Sequence, residues 1–165
     1  MKILVSACLV GRKCKYNGGD NYSEKLAAFL EGHEAIPVCP EVAGGLPVPR
    51  LSCEIVDGVV MNTAGESKDR EYREGAERCL AVAKEEKIDL AVLQSRSPSC
   101  GVNQIYDGTF SGRLKEGAGV FASLLRENGF RVMDVEDLEK AIASGAPEAP
   151  AFQETVTFRH FREED

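Results

Sequence analysis

Lys2-Ile3-Leu4-Val5-Ser6-Ala7-Cys8-Leu9-Val10-Gly11 (KILVSACLVG) is the stretch that decides the fold. Its first half, Lys2–Ser6, is apolar on both alternating faces, so an extended strand here has no side that tolerates water. A strand covered on both faces is the mark of a parallel sheet with helices above and below. The second half leaves that strand through a small residue, a thiol and a glycine, in the manner of a loop at a strand end.

Two further runs repeat the pattern, residues 35–38 (AIPV) and 89–94 (DLAVLQ), and a fourth candidate spans 130–135 after the helix-ending Gly129. Helical periodicity fills the gaps. Residues 22–30 carry Ser23 as N-cap, and 71–84 place Ala76, Leu80 and Ala83 on one face. Helices are also expected over 119–128 and 137–144. Strands alternating with helices predict a three-layer, Rossmann-like α/β fold with an open, mostly parallel sheet in the order second, first, third, fourth strand. Two β-ribbon insertions are predicted, over 53–62 about Asp57-Gly58 and over 104–110 about Asp107-Gly108. The expected organisation is one domain over 1–146, then a Pro-rich linker and C-terminal tail over 147–165.

Composition narrows the function. The 165 residues are 43% hydrophobic and 28% charged, enough apolar material for a real core. A net charge of −7 argues against duplex nucleic acid as partner, since phosphate binding needs a basic face. No apolar run approaches the roughly 18 residues of a membrane span, and Lys2–Val10 lacks the cleavage site of a signal peptide. A cytoplasmic protein, monomer or homodimer, is expected. In a reducing compartment six cysteines do not read as a disulfide scaffold, which leaves metal ligation, catalysis or plain burial.

Three of those cysteines occupy equivalent places. Cys8 follows the first strand, Cys39 ends the second, and Cys100 ends the loop after the third. Ligands of open α/β sheets bind outside the carboxyl ends of the strands, where the winding reverses. With the first strand between the second and third, all three thiols reach one crevice. Glycines at 11, 44, 45 and 101 permit close backbone approach there. No CxxC pair is present, so a zinc ribbon is not supported.

The strings SACLVGRKCKYNG, CPEVAGGLPVPR, LQSRSPSCG and YDGTFSGRLKEGAGVFASLL resemble the DUF523 family, which includes the thiouracil desulfidases. The resemblance spans about residues 1–143. It implies a [4Fe–4S] cluster with three cysteine ligands and one iron not ligated by protein. Carried over position by position, the ligands are Cys8, Cys39 and Cys100, the acid/base carboxylate is Glu41 and the catalytic serine is Ser97. The implied reaction is hydrolytic removal of sulfur from a small thiolated pyrimidine, giving uracil and hydrogen sulfide. Gln94 departs from the lysine common in similar sequences.

Each assignment has a plainer rival. Glu41 can simply pair with Arg50, and Ser97 and Ser99 are ordinary turn formers ahead of Cys100. Ser6, Arg50 and Ser99 are candidate substrate contacts, with Arg96 a further donor to a substrate oxygen. Cys79 lies at an apolar helical position and reads as core, while Cys14 and Cys53 read as neighbours of the site. The alternatives in function are a cluster-dependent enzyme on another thioamide or a sulfur-transfer substrate, and a non-catalytic iron- or sulfur-binding module.

Overall fold

The computed structural model describes residues 1–145 and the backbone of Thr157–Phe158; the remainder of the expected linker and tail lies outside the described residues. In chain order, β1 (Lys2–Ser6) enters a 3₁₀ turn over Ala7–Val10, followed by α1 (Glu24–Leu30), β2 (Glu34–Val38) and a one-turn helix α2 (Pro40–Ala43). A ribbon of β3 (Cys53–Val56) and β4 (Val59–Asn62) leads to the long helix α3 (Asp69–Glu86) and to β5 (Leu90–Leu93). A second ribbon, β6 (Gln104–Tyr106) and β7 (Leu114–Glu116), precedes α4 (Val120–Glu127), β8 (Val132–Asp134) and α5 (Val135–Ala143). Thr157–Phe158 forms β9 beside the start of β2.

The sheet order is β8-β5-β1-β2-β9 with every pairing parallel, so the four predicted strands stand in the predicted order. The double-sided burial of KILVS has its cause in two helix layers. Leu4 on β1 packs with Tyr72, Leu80 and Phe121 of α3 and α4, while Ile3 and Val5 pack with Leu26 and Phe29 of α1 and Leu138 of α5. Each such large apolar side chain contributes about 1.5–3 kcal/mol by leaving water. Ser23 caps α1 as expected, accepting Leu26 N–H at 3.1 Å, and its hydroxyl also donates to Glu139 on α5 at 2.7 Å. The first ribbon turns at Asp57-Gly58, both with positive φ (49° and 81°), the pairing a two-residue hairpin needs.

Three expectations are corrected. The second ribbon does not fold about Asp107-Gly108; β6 pairs with β7, and the turn runs from Asp107 to Arg113. The cause is Glu54, whose Oε1 accepts Gly108 N–H at 3.0 Å and Phe110 N–H at 3.1 Å and holds that segment as a loop. The last helix begins at Val135 rather than Asp137, because Asp134 Oδ1 accepts Glu136 N–H at 2.8 Å and caps it. Finally, β2 ends at Val38, and Cys39 is the N-cap of α2, a helix that Pro40 at its first position favours.

Candidate active site

The winding of the chain reverses between β1 and β5. From β1 it crosses to β2 on one side and then returns to β5 on the other. The carboxyl ends of these strands cannot close on each other, because their loops depart in opposite directions. Ser6 Oγ spans the gap, accepting Gln94 N–H at 2.9 Å. Above it lies a cavity of about 410 Å³ whose wall includes Cys8, Cys14, Cys39, Cys53 and Cys100 together with Glu41, Arg50, Tyr72 and Ser97.

All six cysteines are buried and free, and five line this one cavity. The sixth, Cys79, is in the core beneath α3, as expected from its helical position. Asn21 Nδ2 donates to Cys8 Sγ at 3.4 Å. The neighbouring Cys14 thiol is the largest influence on Cys8 and Cys39 and, acting against burial, holds both below the ordinary thiol range. The same two neighbours, with burial, push the Cys14 thiol strongly upward, so it keeps its proton. Burial pushes Cys100 up as well, opposed by the neighbouring Ser6 and Ser99 hydroxyls. Among the described residues no three His, Cys, Asp or Glu side chains converge closely enough for a single metal ion. The thiols stand instead around the cavity wall. This soft donor set suits a multi-iron cluster, which takes its thiolates at separate irons.

Glu41, in the first turn of α2, is only 13% exposed, and its Arg50 partner 7%. Oε1 accepts from Arg50 Nε at 3.1 Å, from Arg50 Nη2 at 2.9 Å and from the Tyr72 hydroxyl at 2.9 Å. Oε2 accepts from Ser99 Oγ at 2.8 Å. Burial works against the Arg50 charge, but Glu41, Cys39 and Tyr72 together outweigh it and the guanidinium is held above its ordinary range. Burial first, and Glu41 second, drive the Tyr72 phenol far upward, so it remains a neutral donor. Arg50 also donates to Cys14 O at 2.8 Å and Pro47 O at 3.1 Å, tying the loop after β1 to the loop after α2.

The loop after β5 carries Ser97, Pro98, Ser99 and Cys100. Ser97 Oγ accepts Ser99 N–H at 3.1 Å and Cys100 N–H at 3.0 Å, and lies 3.0 Å from Ser99 Oγ. Ser97 thus does shape the turn in front of Cys100, as its plainer reading expects, and it lines the cavity as well.

The structure brings together all eight residues singled out in the sequence: Ser6, Cys8, Cys39, Glu41, Arg50, Ser97, Ser99 and Cys100 all line the cavity. Two of them sit differently from what was expected of a substrate contact. Arg50 spends its donors on Glu41 and two carbonyls, and Ser99, 0% exposed, gives its hydroxyl to Glu41. Arg96 is likewise engaged, forming a double bond pair to Glu136 at 3.0 and 2.8 Å. Tyr72 and Asn21 were missed. Tyr72 falls at helical spacing with Ala76 and Ala83, a pattern that signals core and says nothing of where its hydroxyl points. For Cys14 the six-residue spacing from Cys8 was the available signal.

Fold and site define an α/β protein with a thiol-walled cavity at the switch point of a parallel sheet, lined also by a half-buried, ion-paired carboxylate. The chain belongs to the 2-thiouracil desulfurase family, whose profile matches residues 3–137. It is 40% identical over 146 residues to the uncharacterized protein YbbK of Bacillus subtilis (strain 168), a match covering 82% of this chain and 97% of the relative. Among solved structures it is similar to the [4Fe–4S]-dependent thiouracil desulfidase TudS, a DUF523 protein, with a TM-score of 0.78 and 39% identity over 87% of this chain and 97% of that one. The family resemblance carried by the four sequence strings is therefore correct.

Proposed function

We propose that this protein is an iron–sulfur-dependent desulfidase that exchanges the thiocarbonyl sulfur of a thiouracil-type compound for oxygen. The observation that carries the reading is that Cys8, Cys39 and Cys100 wall the same cavity as Glu41. The overall change is thiouracil plus water to uracil plus hydrogen sulfide. No electrons are gained or lost, so the residues need only bind, orient and move protons.

Cys8, Cys39 and Cys100 would hold a [4Fe–4S] cluster, which, with one iron left without a protein ligand, supplies a soft Lewis acid for the sulfur of a C=S group. The chain's own part is acid–base work and enclosure. Glu41 accepts or returns a proton at Oε2, because Oε1 is already occupied by Arg50 and Tyr72. Arg50 and the neutral Tyr72 hydroxyl hold Oε1 of that carboxylate in place. Ser97 sits at the cavity wall with its oxygen held by two backbone donors, a rigid contact for the pyrimidine edge. Ser6 sets the spacing of the strand ends beneath the ring.

The test is anaerobic reconstitution with iron and sulfide, followed by incubation with 4-thiouracil. The expected protein is brown, carries about four irons per chain, and releases uracil and sulfide in equal amounts. A colourless protein that retains one tight zinc and no iron would overturn the reading. A brown protein active only on a different thioamide would move the substrate but keep the chemistry.

A further inference from the structure

We propose that Ser99 is a positioning residue for this reaction, holding Glu41 and Ser97 in one frame across the cavity; the proposal rests on the desulfidase reading above. Glu41 arrives on α2 after β2 and Ser97 on the loop after β5, so the two come from opposite sides of β1. Ser99 is the residue that joins them. It is 0% exposed, and its hydroxyl lies 2.8 Å from Glu41 Oε2 and 3.0 Å from Ser97 Oγ.

The direction of this chain follows from counting protons. A serine hydroxyl has one proton to donate, and the short contact to a carboxylate oxygen claims that of Ser99. Its contact with Cys100 Sγ is long, 3.7 Å. In the Ser97–Ser99 contact the proton therefore comes from Ser97, whose oxygen meanwhile accepts two backbone N–H groups. One buried hydroxyl thus sets both the rotation of the Glu41 carboxylate and the direction of the Ser97 proton. Among the described residues Ser99 is the partner recorded for Oε2, whereas Oε1 has three bonds from Arg50 and Tyr72. Removal of the Ser99 hydroxyl leaves the carboxylate anchored at Oε1 and without this partner at Oε2. Ser99 stands in the cavity wall with 0% exposure, and its hydroxyl is committed to these two partners.

The experiment compares wild type, Ser99→Ala, Glu41→Gln and the double variant after reconstitution, measuring iron per chain, the visible spectrum, kcat and KM. It adds a crystal structure of Ser99→Ala. Ser99→Ala is expected to load iron normally and keep KM within about 3-fold, while kcat falls roughly 10–100-fold, the scale of a reacting group displaced by about 1 Å. In the Glu41→Gln background the same substitution is expected to cost clearly less than in wild type, the remainder passing through Ser97, since residues sharing a partner are not additive. In the crystal, Glu41 is expected to rotate or to occupy two positions. Unchanged kcat, additive losses, or iron lost in step with activity would each overturn the proposal, the last by assigning Ser99 to Cys100. If the wild type releases no sulfide, the desulfidase reading fails, and an unmoved Glu41 in the variant crystal would still overturn the positioning role on its own.

Discussion

Gly44 and Gly75 meet where α2 crosses α3, with no room for a side chain on either. A Cβ on Gly44 would lie 1.9 Å from Glu71 O, and one on Gly75 would lie 1.8 Å from Pro40 O. This close crossing seats α2, and with it Cys39 and Glu41, against the helix that presents Tyr72. Gly75→Ala must push the two helices apart. Overpacking of this kind costs about 1–3 kcal/mol, and α2 is the shorter and freer partner. Urea unfolding is expected to show that loss, and iron per chain after reconstitution is expected to fall because Cys39 moves. Full iron loading with wild-type stability would mean that the crossing is not rigid.

Arg50→Met tests the buried ion pair. The methionine fills much of the same space but leaves the Glu41 carboxylate without its counter-charge at 13% exposure. Breaking a buried pair by removal of one partner costs about 3–5 kcal/mol, to be read from the denaturation midpoint. Replacing both partners, as Arg50→Met with Glu41→Gln, is expected to recover part of that stability while abolishing turnover. A single variant as stable as wild type would show that water reaches Glu41 freely.

Glu41→Gln keeps the shape of the side chain and removes its proton chemistry. The visible spectrum and iron content of the reconstituted protein are expected to match wild type. Sulfide release from 4-thiouracil is expected to fall by roughly 10²–10⁴-fold, the usual worth of a positioned acid or base, or about 3–5 kcal/mol of barrier. Near-normal turnover would leave Glu41 with a purely structural role.

The six cysteines are expected to sort into groups when each is changed singly to serine. Cys8, Cys39 and Cys100 variants lose iron and activity together, because a hydroxyl is a poor soft-metal ligand. The Cys79 variant, under α3, loads normally and loses only stability, about 1 kcal/mol or somewhat more from a buried hydroxyl. The Cys14 and Cys53 variants retain iron. Turnover is expected to drop in the Cys14 variant, since Cys14 lines the cavity beside Cys8 and Cys39. Iron and sulfide assays on all six decide the matter. A Cys14 variant devoid of iron would make it a fourth ligand and leave no iron open to substrate.

The sequence by itself determined the layers, the strand order and the end of the sheet at which chemistry sits. Apolar runs without alternation demand cover on both faces, and that demand is local enough to read from Ile3, Leu4 and Val5. The positions of Cys8, Cys39 and Cys100 after successive strands are likewise local, so their convergence followed from the winding alone. The partners of Glu41 were different in kind. Arg50 was legible only as a possibility nine residues on, Tyr72 looked like core, and Ser99 read as a turn former or a substrate contact. Which oxygen each one holds depends on how α2 seats against α3 and how the loop after β5 folds over it. Those arrangements are set by Gly44 against Gly75 and by backbone bonds such as Cys100 N–H to Ser97 Oγ, contacts between segments far apart in the chain. Hydrogen-bond geometry acts over about 3 Å and has no periodic trace in sequence. Only the tertiary structure could turn a glutamate, two serines, an arginine and a tyrosine into one network.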